Sequence, residues 1–207
     1  MSQDTKPLIV GAGPTGKGAA LFLAHAGIAT RLIDTALEPS SFSKALAVNP
    51  RTLEILEPTG VTEKMLAIGL RIHGAQVQIN GKPAAEISFA SSQHRYPFML
   101  ALSQLVTERL LSEALENFGV TVERGVTLVN CRNCGDLVEA DLEHLNQGTK
   151  ESVSCPWLFA ADGAHSSVRK GLEVDFPGSS FDSPWHLMDL PLTTALAEDR
   201  AHVSLFD

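Results

Sequence analysis

Residues Gly11-Ala12-Gly13-Pro14-Thr15-Gly16-Lys17-Gly18 can be read in two incompatible ways. As G-x-G-x-x-G they form a dinucleotide-binding turn, and as G-x-x-x-x-G-K they come close to a nucleoside-triphosphate loop. The flanks decide between the two. Leu8 to Val10 is a short apolar run ending in glycine, the pattern of a strand buried on both faces. After the glycines, Ala19, Ala20, Phe22, Leu23 and Ala26 recur at helical spacing until Gly27 stops the helix as a C-terminal cap. Pro14 suits the first turn, where a missing N–H costs nothing. Thr30 to Asp34 then reads as a second strand with a carboxylate at its end. A triphosphate loop needs Ser or Thr after its lysine to hold magnesium, and Gly18 stands there instead. In the dinucleotide reading Gly11 makes the tight turn, Gly13 admits a pyrophosphate close to the backbone, and Gly16 lets helix and strand pack. Asp34, eighteen residues after Gly16, is placed to accept hydrogen bonds from the ribose hydroxyls of an adenosine.

Composition narrows the function classes. A chain of 207 residues supports one full core or two modest ones. With 16 basic against 24 acidic side chains and no basic run, it lacks the clustered Lys and Arg that a nucleic-acid surface requires. The apolar run near the N-terminus is too short for a signal peptide, and nothing approaches a membrane span, so a cytoplasmic protein is expected. Three cysteines, an odd number, argue against a disulfide framework. Cys131 and Cys134 form one C-x-x-C, but no second ligand pair accompanies it, and its flanks read as strand, turn, strand. No metal site is expected.

Further along, Asn49 to Leu56 reads as a short helix ended by Pro58 and Gly60. Strands are predicted at His73–Ile79, Ala84–Phe89 and Phe98–Leu102, the first two joined by a hairpin signal at Asn80-Gly81. Ser103 opens a strong helix with Val106, Leu110, Leu111, Ala114, Leu115 and Phe118 on its buried side, ended by Gly119. Val120–Glu123 returns as a strand, a β-meander covers about 126–155, and Trp157–Ala161 forms another buried strand running into Asp162-Gly163. Strand-like patterns resume near Trp185–Leu190 and His202–Phe206. The fold class is therefore α/β, with an antiparallel sheet interrupting a parallel one.

The ordered pieces GAGPTG, RLIDTALEPS, SKALAVNPRTLEILEPTGV, LSQLVTERLL and WLFAADGAHSSVRKGL together resemble the FAD-dependent aromatic hydroxylases, the single-component flavoprotein monooxygenases of the p-hydroxybenzoate hydroxylase fold. The most specific element is Ala161-Asp162-Gly163-Ala164-His165-Ser166-Ser167-Val168-Arg169, which shifts the weight from NAD to FAD. The resemblance implies a Rossmann-like FAD-binding domain with parallel sheet and β-meander over residues 1–72 and 103–178. Residues 73–102 and 179–207 would be an incomplete substrate-binding domain. It implies that Gly11, Gly13 and Gly16 hold the FAD pyrophosphate and Asp34 the adenosine ribose. Lys44 would approach the FAD, with Arg51 a weaker candidate, Gln104 would touch the ribityl side, and Asp162 would support both FAD and nicotinamide binding. NAD(P)H would reduce the flavin, which then uses O2 to hydroxylate a small aromatic substrate. Because the flavin carries that chemistry, no side chain is assigned as catalytic. Taken alone, Asp162-Gly163 also fits an ordinary strand-to-helix turn with Ser166 or Ser167 as helix cap, and Arg51 a helix-face partner for Glu54.

Two departures stand out. Lys17 occupies a position where the family usually has an apolar residue. The family's second FAD motif, a Gly-Asp pair opening a helix downstream, has no counterpart after Arg169, and Gly135-Asp136 lies in the meander. This predicts the amino-terminal portion of a longer monooxygenase or a truncated relative, with an open sheet edge available for self-association. Two other functions remain: a non-catalytic nucleotide-binding remnant or assembly partner, and an NAD-linked Rossmann oxidoreductase.

Overall fold

The computed structural model describes residues 2–3, 6–41, 43, 45–90, 93–179, 182–184, 186, 188, 190–191 and 193–206. The strands are β1 (Ser2–Gln3), β2 (Leu8–Val10), β3 (Arg31–Asp34), β4 (Ala47–Val48), β5 (Leu70–Ile72), β6 (Gly74–Ile79), β7 (Lys82–Ser88), β8 (Met99–Ala101), β9 (Val122–Arg124), β10 (Val126–Asn133), β11 (Val138–His144), β12 (Thr149–Cys155), β13 (Leu158–Ala160) and β14 (Arg200–Leu205). The helices are α1 (Pro14–His25), α2 (Pro50–Leu56), α3 (Val61–Ile68), α4 (Gln104–Glu116) and α5 (Ser167–Gly171), with one 3-10 turn at Glu57–Thr59. They sort into two compact units, residues 1–42 with 108–181 and residues 43–107 with 182–207.

The first unit is built on a parallel sheet of order β13-β2-β3-β9. Register places Ile9 beside Leu32 and Val10 beside Ile33, so alternate residues of each strand face opposite sides. Leu8, Val10 and Ile33 form one core with Val126, Leu128, Ala140, Leu142, Val153 and Cys155 of the meander and Val168 of α5. The meander forms a second sheet of order β1-β12-β11-β10. α1 packs against β2 and β3, burying Ala20 and Leu21 completely. It starts on Gly13 with Pro14 in its first turn, and it closes at Ala26 before the left-handed Gly27.

The buried pairings inside this unit follow the expected pattern, with two corrections. Phe118, expected on the buried side of α4, is 46% exposed, because the helix stops at Glu116 and the left-handed Gly119 turns the chain outwards. It meets the ring of His25 edge-on instead. Trp157, expected inside a buried strand, lies before β13 and is 73% exposed, and Phe159 is also exposed. β13 is an outer strand among the described residues and has only β2 as a neighbour, so its far side has no sheet to cover it.

In the second unit β6 and β7 form the expected hairpin, with Asn80 and Gly81 both at positive φ as a two-residue turn requires. β14 joins β6 in parallel, giving the order β14-β6-β7, and a second small sheet runs β4-β8-β5. Asn49 caps α2 through its side chain, which accepts from the Thr52 amide at 2.8 Å. α3 and the short strands β4 and β5 were not apparent in the sequence. α3 has no polar cap, since it follows the left-handed Gly60, and it is held by burial of Val61 and Met65 and by the Thr62 hydroxyl donating to the Leu53 carbonyl at 2.6 Å. Of the strand expected at 185–190, Trp185, Leu187 and Asp189 lie outside the described residues, and the described neighbours carry no strand.

Candidate functional site

At the C-terminal end of β2 the chain turns on Gly11, whose φ of 99° lies in the left-handed region. Its amide donates to the Ile33 carbonyl at 2.9 Å, tying the turn to β3. A Cβ at Gly11 would lie 2.3 Å from the Ala161 carbonyl oxygen, and one at Gly16 would lie 1.8 Å from the Gly11 carbonyl oxygen. These two glycines are therefore required by backbone against backbone. Gly13 differs, because a Cβ there would meet nothing within 4 Å. It stands before α1 as an N-cap with no side chain to satisfy the helix's first amides, and the first turn carries no acidic residue. The result is an open, amide-lined, electropositive helix start, which is the chemistry an anionic diphosphate needs.

Asp34 ends β3 beside this turn. Its Oδ2 accepts from the Ala12 amide at 2.6 Å and its Oδ1 from the Ala36 amide at 2.8 Å. Arg124, the register partner of Asp34 at the end of β9, approaches Oδ1 at 3.6 Å. The carboxylate is thus held in place at the edge of the turn. Sequence spacing could not reveal Arg124, because it reaches the site through sheet register across about 90 residues.

Asp162 closes the other side, its Cα 2.9 Å from the Cβ position that Gly11 avoids. Its Oδ2 accepts from the Ser167 amide at 2.7 Å, the Ser167 hydroxyl at 3.1 Å and the Val168 amide at 3.2 Å. Burial pushes the Asp162 carboxyl up, but hydrogen bonding from Ser166, Val168 and Ser167 outweighs it and holds the group below the usual carboxylate range. Ser166 is the N-cap of α5 and accepts from the Arg169 amide at 2.9 Å. Asp162 therefore anchors α5 to the glycine turn. Asp162→Ala is expected to cost about 1–2 kcal/mol in urea unfolding, as loss of a helix-start acceptor does. An unchanged midpoint would remove this anchoring role.

The structure brings Gly11, Gly13, Gly16, Asp34 and Asp162 together within the first unit. Gln104 begins α4 in the second unit, and its amide donates to the Ala45 carbonyl at 3.1 Å and the Ser43 hydroxyl at 3.2 Å. Lys44 lies outside the described residues. Arg51 is paired with Glu54 on the exposed face of α2. Cys131 and Cys134 fall on β10 and the turn after it. Burial, reinforced by the Asp162 carboxylate, pushes the Cys131 thiol up, away from the reactive thiolate form. Among the described residues no group of three or more His, Cys, Asp or Glu could hold a metal ion, and no helix is long and apolar enough to cross a membrane. Lys17 neither reaches outwards nor enters the turn; it is buried at 1% exposure and paired with Glu108.

The chain is 37% identical over 198 residues to a 6-methylpretetramide 4-monooxygenase of Streptomyces rimosus, covering 95% of this chain and 35% of the relative. It is 33% identical over 183 residues to a pentachlorophenol 4-monooxygenase of Sphingobium chlorophenolicum, covering 87% and 34%. Among solved structures, an anhydrotetracycline hydroxylase from Streptomyces rimosus superposes with a TM-score of 0.73 at 32% identity, over 86% of this chain and 36% of the other. A p-nitrophenol 4-monooxygenase from Pseudomonas putida DLL-E4 has the same fold, with a TM-score of 0.81 at 24% identity over 87% and 46%. The chain spans about a third of the length of the curated relatives it matches. The family model described as "FAD binding domain" matches residues 4–206, and the chain belongs to that family.

Proposed function

We propose that this chain forms the FAD-binding portion of a flavin-dependent monooxygenase acting on a small aromatic substrate, with NAD(P)H as co-substrate and the cytoplasm as its setting. The observation that carries this reading is the open helix start at Gly13, flanked by the two sterically obligatory glycines and by Asp34. In it the amides following Gly13 bind the coenzyme diphosphate, Asp34 receives the adenosine ribose, and Asp162 orients the far wall of the turn. Lys44 and Gln104 are assigned to the same coenzyme on the family resemblance. Residues 73–102 and 179–207 would contribute to substrate enclosure. The flavin, when bound, supplies the redox chemistry and the activation of O2. The chain's own groups bind it and orient it.

The test is direct. The purified chain, incubated with FAD and freed of excess coenzyme, is expected to remain yellow with flavin absorbance. Asp34→Ala is expected to weaken FAD binding roughly tenfold, the scale of losing a charge-assisted hydrogen bond. A colourless chain that FAD does not stabilise against heat would defeat the proposal, and stabilisation by NAD in preference to FAD would favour an NAD-linked enzyme.

A second reading has its own support. Register puts Val203 beside Val77 and Leu205 beside Ile79 on the same face of the β14-β6-β7 sheet, and Val203, Leu205, Ile79 and Ile87 are all exposed. Among the described residues β14 is also an outer strand. Such a face and edge favour pairing with a second copy of the chain, by a nucleotide-binding protein without turnover. Sedimentation should then show a dimer that grows with concentration, and a monomer at all concentrations would dismiss it.

A further inference from the structure

Arg124 has no part in the reading above, yet it stands beside the carboxylate that the reading depends on. β2, β3 and β9 are neighbouring parallel strands, so the glycine turn, Asp34 and Arg124 all lie at the carboxyl edge of one sheet. That edge is where open parallel sheets receive their ligands. Asp34 touches the turn directly, with Oδ2 on the Ala12 amide and Oδ1 on the Ala36 amide. The Arg124 guanidinium comes within 3.6 Å of that Oδ1, which is beyond hydrogen-bond length. Among the described residues it makes no side-chain hydrogen bond and no other ion pair. Arg31, at the opposite end of β3, is the contrast, because its guanidinium is filled by Glu123 and Glu151. The Arg124 and Asp34 side chains are 21% and 19% exposed, so both remain in reach of solvent at this edge.

A guanidinium only donates and a carboxylate only accepts, whereas a ribose hydroxyl does both. A pair held slightly too far apart to bond directly therefore suits a hydroxyl that donates to one member and accepts from the other. We propose that Arg124 is a second ribose ligand of the coenzyme, donating to an adenosine hydroxyl whose proton Asp34 receives, so that the two together select a nucleotide with an intact ribose diol. This rests on the reading of the glycine turn and Asp34 as a dinucleotide site. Sequence spacing points to the acid alone, since its basic partner arrives through the register of β9.

The experiment compares ADP with 2′,3′-dideoxy-ADP, which keeps the base and the diphosphate but lacks both hydroxyls, by calorimetric titration of the 207-residue chain. The unaltered chain is expected to prefer ADP by roughly a hundredfold, as two charge-assisted hydrogen bonds would give. Arg124→Met should cut that preference to roughly tenfold, weakening ADP far more than the dideoxy nucleotide. Should Arg124→Met fail to fold by circular dichroism, Arg124→Gln makes the same comparison with the same expectation. Equal losses for the two nucleotides would mean that the guanidinium acts only as a charge or a brace, and would overturn the proposal. An ADP affinity unmoved by either substitution would overturn it as well. Failure of the unaltered chain to bind ADP or FAD at all would instead overturn the dinucleotide reading beneath it.

Discussion

Gly16→Ala will release the coenzyme and bring the chain close to unfolding. The new Cβ would sit 1.8 Å from the Gly11 carbonyl oxygen and 3.0 Å from its carbon, with the Ala161 side chain at 3.3 Å. The first two obstacles are backbone, so no side-chain rotation relieves the clash, and α1 must move away from the end of β2. Overpacking of this kind costs on the order of 3 kcal/mol, a large share of the stability of a small domain. Gly18→Ala is the matched control. It lies in the interior of the same helix with nothing within 4 Å of the added carbon, and it should stabilise by roughly 0.5–1 kcal/mol through helix propensity. Urea midpoints and flavin retention on gel filtration distinguish the two. A Gly16→Ala chain with the original midpoint and a bound flavin would show that the contact is not what it is taken to be.

Arg31→Met is expected to have the second largest effect. Arg31 lies on the meander side of β3, where its guanidinium donates to Glu123 through Nε at 2.9 Å and Nη2 at 2.8 Å. It also donates to Glu151 of β12 through Nη1 at 3.0 Å and Nη2 at 2.8 Å. One side chain thereby joins the parallel sheet to the meander by two bidentate pairs, and His144 adds a contact to Glu151 at 2.9 Å. The arginine side chain is 13% exposed while its partners are 39% and 32% exposed, so the loss falls short of a fully buried pair, at about 2–3 kcal/mol. Its pH dependence has a defined sign. Hydrogen bonding from Arg31 holds the Glu151 carboxyl below its ordinary value of 4.5, against the opposing effect of burial and with help from His144. A depressed carboxylate stabilises the fold above its unfolded pKa and loses that contribution as pH falls through the folded one. The stability gap between the unaltered chain and Arg31→Met should therefore stay level from neutral pH down to about 4.5 and narrow below it. Unfolding curves that remain parallel to pH 3 would contradict this origin.

The backbone geometry of the glycine turn was legible because its requirements are local. A glycine forced to positive φ, a proline in a first helical turn and an apolar triplet before them all lie within ten residues. The meander and the hairpin at Asn80-Gly81 were legible for the same reason, through period-two alternation and turn chemistry. What escaped depends on contacts distant in sequence. Arg124 meets Asp34 only through the register of β3 and β9, and Lys17 meets Glu108 only because α1 and α4 approach each other. α3 carries a weak local signal, eight residues without a polar cap, and is fixed by packing. Trp157 and Phe159 show the converse error. An apolar run reads as interior, but whether a strand is central or outermost is decided by its neighbours in the sheet.

The wedge of Gly11 against Ala161 and Asp162 also bears on how the protein is made. The turn near the start of the chain gains its far wall only when a strand some 150 residues later has docked beside β2. Contacts of such separation form late, after the entropy of closing the intervening loop has been met. During synthesis, then, a nascent chain holding only the first βαβ unit has the glycine motif but not its mould. On the diphosphate reading proposed above, capture of nucleotide on the ribosome is expected only once residues through Val168 have left the exit tunnel.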